Sequence, residues 1–152
     1  MESFFADYYE RLADLHRMAG EAIAGLDEAA LDWQPGEEMN SLTVLVTHTA
    51  WAERYWVGVM AGGDMVARDR PAEFMAQGQT AVSLQTLLDN TLTHSQQTLT
   101  GLTIKDLGRG MASPMHDKRP FSIGWSLLHA LEHTAEHVGQ MQLTRQLWEQ
   151  HG

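Results

Sequence analysis

The chain has 152 residues and no cysteine, with a hydrophobic fraction of 43% and a charged fraction of 20%, values of a folded domain able to bury one core without disulfide or metal staples. Ten Lys and Arg against twenty Asp and Glu leave a formal charge of -10, which repels phosphate and argues against nucleic acid or an anionic membrane as partner. The missing thiols exclude cysteine nucleophiles and thiolate-ligated zinc, so any metal must be held by nitrogen or oxygen. The opening MESFFADYYERL lacks the basic and apolar regions of a signal peptide. No later stretch has the length of a membrane span. The expectation is a single cytoplasmic domain over residues 1–152.

Phe5, Tyr8, Leu12, Leu15, Ala19, Ala22 and Leu26 recur at three- and four-residue steps, which predicts a first helix over about residues 2 to 25. Asp27 is placed to cap a short turn, and Trp33, Gln34, Pro35 and Gly36 then break the chain. Ser41 is an N-cap for a second helix over about residues 41 to 61, with the stripe Leu45, Thr49, Ala52, Trp56 and Val59 and with His48 along its edge. Residues 62 to 80 read as a long crossover in which RPAEFMA makes one or two helical turns with Pro71 near their start. A third helix, about residues 80 to 100, rests on the weaker stripe Leu84, Leu87, Leu88, Thr91, Thr98 and Leu102.

Residues 101 to 121 hold three Gly and two Pro without a sustained period, and a stretch of that length is more often the cover of a site than a plain connector. Ser122 opens the strongest helix, about residues 122 to 149, along Leu127, Leu131, Thr134, Val138, Met141, Arg145 and Trp148. Four helices and no convincing strand predict an all-α four-helix bundle.

The eight histidines are roughly twice the usual share. Three of them, His129, His133 and His137, stand four residues apart on the last helix, one turn from each other on one side. Scattered at random, eight histidines would produce such a run in only about one chain in fifty. At about 100° per residue from the Leu127 stripe, His137 and His133 border the core at about -80° and -120°, whereas His129, at about -160°, faces outward. His48 on the second helix completes a feasible three-imidazole metal site with His133 and His137. Burying three neutral imidazoles without partners costs about 1–3 kcal/mol each, and a metal offsets that cost by using their lone pairs. The competing reading is a set of hydrogen-bonded core histidines, which is preferred for His16 and His94. His116 and His151 are assigned no role.

His133-Thr134-Ala135-Glu136-His137 also matches the inverted zinc-protease pattern, but that chemistry needs a further acidic ligand well downstream and few residues remain. Glu136 reads as a solvated charge, and Glu132 or Glu136 is a candidate to orient an imidazole. Trp51, Tyr55, Trp56 and Trp125 read as core first and as pocket walls second.

The segments LDWQPGEEMNSLTVLVTHTAWAERYW and FSIGWSLLHALEHTAEHVGQMQLTRQLW resemble the DinB/YfiT-like superfamily of metal-binding four-helix proteins. The resemblance implies parallel second and third helices joined by a long crossover, and a metal triad on His48, His133 and His137. It carries the family's Gly-Gln onto Gly139 and Gln140 and leaves His129 outside the triad. It further implies one divalent ion, zinc, nickel or iron, and a metal-dependent thiol S-transferase acting on small electrophiles. With no cysteine in the chain, the low-molecular-weight thiol would be a cosubstrate. The alternatives are a metal-dependent hydrolase and a non-catalytic stress-response or binding module with a structural metal. Homodimerisation is expected from the family and from Phe4, Phe74 and Trp148 near the stripe edges.

Overall fold

The computed structural model describes residues 1–151. Helix α1 (Ser3–Ile23) buries Phe5, Tyr8, Leu12, Ala19 and Ala22 as its periodicity requires, and adds His16 to the inner face. The short α2 (Glu28–Asp32) starts at Asp27, whose carboxylate accepts the Ala30 N–H. Helix α3 (Leu42–Glu53) starts at Ser41, whose hydroxyl accepts the Val44 N–H. It is buried on almost every side, because α2 and the crossover cover the arc that the bundle leaves open. One turn, α4 (Arg70–Glu73), interrupts the crossover, with Asp69 as its cap and Pro71 in its first turn. Helices α5 (Ala81–Thr100) and α6 (Ile123–Gln150) complete the bundle.

The direction of each helix follows from which residues meet. Tyr8 donates to the Leu127 carbonyl and Arg145 donates to the Glu21 and Ala22 carbonyls, so α1 and α6 run parallel. Glu53 meets Ser95, and Gly62 packs on Thr98, so α3 and α5 also run parallel and need the crossover of residues 62 to 80 between them. The two pairs oppose each other: His48 meets His133 while Trp56, further along α3, meets Trp125. This is the four-helix bundle with a long crossover that the sequence predicts.

Four features differ from the expectation. Residues Arg54–Ala61 continue α3 as a π-helix, a wider winding that tends to occur at functional sites. Glycine permits the close packing there. A Cβ on Gly58 would stand 2.8 Å from His94 Cε1, and one on Gly62 would stand 2.7 Å from the Gly58 carbonyl oxygen. Second, the 101–121 stretch contains a two-stranded antiparallel hairpin, β1 (Gly110–Ala112) with β2 (Pro120–Ser122), in which Met111 faces Phe121. Three-residue strands are too short for a hydrophobic alternation to reveal them. Third, α5 buries the expected Leu84, Leu88 and Thr91 but adds Ser95 and Leu99, while the expected Leu87 and Thr98 are only half-buried. Ser95 turns inward because its hydroxyl donates to the buried Glu53 carboxylate at 2.6 Å. Finally, Trp148 is half-buried against Trp33, ring to ring at 5.6 Å, while Phe4 and Phe74 are exposed.

The core has two halves. Phe5, Tyr8, Leu12, Tyr55, Trp56, Met60, Leu99 and Leu127 fill the end near the hairpin, and Ile23, Leu31, Leu42, Leu45, Leu84, Leu88 and Met141 fill the other. The histidine cluster lies on the α3 and α6 side between them. No described helix is long and apolar enough to cross a membrane.

Candidate metal centre

The antiparallel contact of α3 with α6 brings His48 to His133 and His137. Among the described residues these three form the group whose ligand atoms converge, all within 4.8 Å of one another. His133 Nε2 stands 3.1 Å from His48 Nε2 and 3.1 Å from His137 Nε2. The i, i+4 spacing on α6 supplies one pair and the helix packing supplies the third ring.

The outer nitrogens decide what the inner ones can do. His48 Nδ1 lies 2.9 Å from Glu73 Oε1, and a carboxylate can only accept, so Nδ1 carries the proton and Nε2 presents a lone pair. His137 Nδ1 donates in the same way to Gln140 Oε1 at 2.7 Å. His133 Nε2 then faces two lone pairs with at most one proton to give, which leaves at least one pair of acceptors in contact. A cation removes that conflict. Nitrogens about 2.0–2.1 Å from a tetrahedral ion are separated by about 3.3–3.4 Å, close to the two 3.1 Å contacts through His133 and within the 4.8 Å span of the three, so the donor set fits a divalent metal.

Electrostatics favour the neutral form of the two α6 ligands, His133 and His137. Burial first, then the neighbouring His137 and His48, push the His133 pKa down to about 3. Burial also lowers His137, against the hydrogen bond to Gln140. Glu73 is buried at 3% exposure, which by itself would raise its pKa. Hydrogen bonds from Arg68 and His48 outweigh that and hold the carboxyl below its usual range. Arg68 donates through Nε and Nη2 to both Glu73 oxygens, each at 2.8 Å, a two-pronged contact that fixes the carboxylate plane.

The orienting group for His48 is therefore Glu73 of α4, reached across the crossover. The expected candidates Glu132 and Glu136 are exposed on α6 and accept no hydrogen bond from the triad. Their positions follow from helix geometry, since each lies one residue before an inward-facing histidine. His129 corrects a second expectation. It is half-buried and not free in solvent, stacking on Trp125, centroids 4.8 Å and planes 12° apart, and meeting Trp56 edge-on at 4.7 Å. The buried Trp56 and the exposed Trp125 cover two sides of the ring, and burial lowers the His129 pKa. His16 takes the core role expected of it, buried against Glu53 at 2.6 Å, whereas His94 is half-buried and pairs with Asp64 at 2.7 Å at the edge of the bundle.

A cavity of about 400 Å³ adjoins the triad, walled by His48, Trp56, Arg68, His116, His129 and His133 among others. The loop beyond β1 supplies Met115 and His116 to it, so the 101–121 stretch does cover the site. Glu73, Arg68 and His116 were not legible as site residues, because each comes from a connection with no periodicity. Trp56 and Trp51 divide as follows: Trp56 is buried in the cavity wall, whereas Trp51 is exposed beside a separate cleft of about 270 Å³ formed with Thr47 and the α4 turn.

If Glu73 sets the ring of His48, replacing it has a defined effect. Glu73→Gln should weaken divalent-ion affinity by about 10- to 100-fold, measured by competition with a chelating dye. Glu136→Gln should leave it unchanged.

A four-helix bundle with two parallel pairs carries three converging imidazoles that could hold a metal ion. A family model described as the DinB superfamily matches residues 11–141, and the chain belongs to that superfamily. No curated protein sequence matches it. Among solved structures, a conserved protein from Enterococcus faecalis aligns with a TM-score of 0.74 at 18% identity, over 97% of each chain. YfiT from Bacillus subtilis, described as a probable metal-dependent hydrolase with an unusual four-helix bundle topology, aligns at 0.68 and 14% identity over 94% of this chain and 89% of that one. A mutant of a mycothiol-dependent maleylpyruvate isomerase aligns at 0.66 and 10% identity, over 93% of this chain but only 63% of its own.

Proposed function

We propose that His48, His133 and His137 hold one divalent ion and that the protein is a metal-dependent enzyme acting on small molecules. The observation that carries this reading is the convergence of three Nε2 atoms whose outer nitrogens are committed to Glu73 and Gln140. A divalent ion held by three neutral imidazoles keeps its charge and an open position, and supplies Lewis-acid activation of a thiol or a water near neutral pH.

The rest is the work of the chain. Glu73 and Gln140 hold the rings in the tautomer that ligates. Trp56 and His129 restrict water on one side of the cavity, and the hairpin loop closes another. The preferred reaction is transfer of a low-molecular-weight thiol to a small electrophile, for which the neighbouring mycothiol-dependent isomerase is the supporting comparison. The chain has no cysteine of its own, so the thiol comes from solution. Hydrolysis is the second reading, supported by the description of YfiT. Zinc, nickel and iron all suit the imidazole set.

A screen of small electrophiles and esters with metal-loaded protein separates the readings. A transferase consumes electrophile only when metal and bacillithiol, mycothiol or glutathione are both present, and a hydrolase needs no thiol. His137→Ala is the control. Wild-type turnover in that variant would remove the metal from the reaction.

The metal-free protein should show the electrostatic cost of the cluster. The His133 pKa is lower in the folded chain, about 3, than the ordinary histidine value of about 6.5. Between these values the unfolded chain binds more protons, so stability is complete above about pH 6.5 and falls as pH drops toward 3. Urea midpoints of chelator-treated protein should decline from pH 7.5 to pH 5, and a flat profile would contradict this environment for His133.

A further inference from the structure

The cavity beside the triad has a charge opposite to that of the protein. The chain carries -10 overall, yet Arg68 and Arg70 line this cavity and no carboxylate does. Arg68 is committed to Glu73 by two hydrogen bonds. Arg70 is not committed. Among the described residues it has no ion-pair partner, and its guanidinium lies over the Phe74 ring at 5.0 Å, whose other neighbour is His48, with centroids 4.7 Å apart. An exposed cation needs no partner, but this one is held by stacking at the mouth of a cavity.

His116 faces the same cavity from the hairpin loop, and a buried relay sets its tautomer. The Met115 N–H donates to the Tyr55 hydroxyl, which leaves the phenol proton for Ser113 Oγ, its hydrogen-bonded neighbour. Ser113 Oγ in turn lies 2.7 Å from His116 Nδ1 and donates to it. Ser113 is fully buried. The relay leaves the proton of His116 on Nε2, so the ring offers the cavity a donor. Trp56, its ring 5.4 Å from that of His116, supplies a flat apolar wall.

We infer that this cavity binds a small molecule through a carboxylate, with the Arg70 guanidinium and His116 Nε2–H as its donors and Trp56 as the wall for its apolar part. A planar carboxylate matches the fork of an arginine, and its charge complements a cavity that lacks acids. The inference rests on the metal reading only in setting the carboxylate beside the ion; the donors belong to the chain with or without metal.

The test uses benzoate and its neutral isostere benzamide as probes, titrated into metal-loaded and chelator-treated protein, with tryptophan fluorescence and calorimetry as readouts. In both forms of the wild type benzoate should bind about ten-fold or more tightly than benzamide, as expected for a charge-assisted contact. Arg70→Gln should remove most of that preference while leaving benzamide affinity and metal content unchanged, and His116→Phe should remove the remainder. Equal affinity for the two probes would overturn the proposal. So would a preference seen only with metal and kept by Arg70→Gln, because the ion and not the chain would then be the anion receptor. A chain that takes up no metal but keeps the Arg70-dependent preference would defeat the metal reading and leave this one standing.

Discussion

Replacing His133 with alanine should abolish divalent-ion binding, a larger loss than the change at any orienting residue. His133 Nε2 is the atom common to both 3.1 Å contacts, so its removal leaves His48 and His137 as two separated ligands. The loss should therefore exceed the roughly 10- to 100-fold expected for an outer partner. Elemental analysis of protein purified without a metal-affinity column provides the measurement, with His129→Ala as the comparison. His129 should keep the ion, since its place in the cavity wall is secured by Trp125 and Trp56 and not by the triad. Full occupancy in His133→Ala would show that other ligands hold the metal. The same variant has a second readout. With the depressed histidine gone, the acid sensitivity of the metal-free protein should weaken, because the site that the unfolded chain protonates more readily is no longer present.

The largest stability effect should come from Glu53, far from any role in metal binding. Its side chain is buried in the bundle centre, with His16 Nε2 at 2.6 Å from one oxygen and the Ser95 hydroxyl at 2.6 Å from the other. The carboxylate also acts on the Tyr8 phenol, whose pKa is raised by burial first and by Glu53 second. Glu53→Ala removes one acceptor that serves two buried donors from two helices. Leaving two buried donors unsatisfied costs about 1–3 kcal/mol each, and a protein of this size loses roughly 2–4 °C of melting temperature per kcal/mol. A drop of about 4–24 °C is expected by calorimetry. Combining Glu53→Leu with His16→Phe should recover much of it, since two apolar groups of similar size need no partners. A loss below about 1 kcal/mol in the single variant would mean that water replaces the carboxylate.

The comparison of α5 with α6 shows how far periodicity reaches. On α6 the stripe Leu127, Thr134, Val138 and Met141 is buried as its spacing requires, because apolar side chains dominate that face and leave one orientation favoured. On α5 the lower half is threonine and serine, and hydrophobicity alone cannot orient it. Glu53 decides the matter by drawing Ser95 inward. The angular reading of His129 failed for a related reason. It treated burial as a property of one helix's apolar stripe, whereas Trp56 from the neighbouring helix packs against the ring and Trp125, one turn earlier on α6, stacks on it.

The sequence by itself determined the four long helices, the crossover and the three metal-ligating candidates, because caps, apolar stripes and the four-residue histidine spacing are local and repeat along one helix. The tertiary structure alone decided the partner of His48 and the walls of the cavity, whereas His137 finds Gln140 three residues along its own helix. Glu73 and Arg68 come from the crossover, and Met115 and His116 come from the hairpin loop. Segments without a repeating period carry no orientation signal. Their side chains acquire a direction only when α3 and α6 pack and leave buried donors, above all His48 Nδ1, that an acceptor from elsewhere in the chain must satisfy.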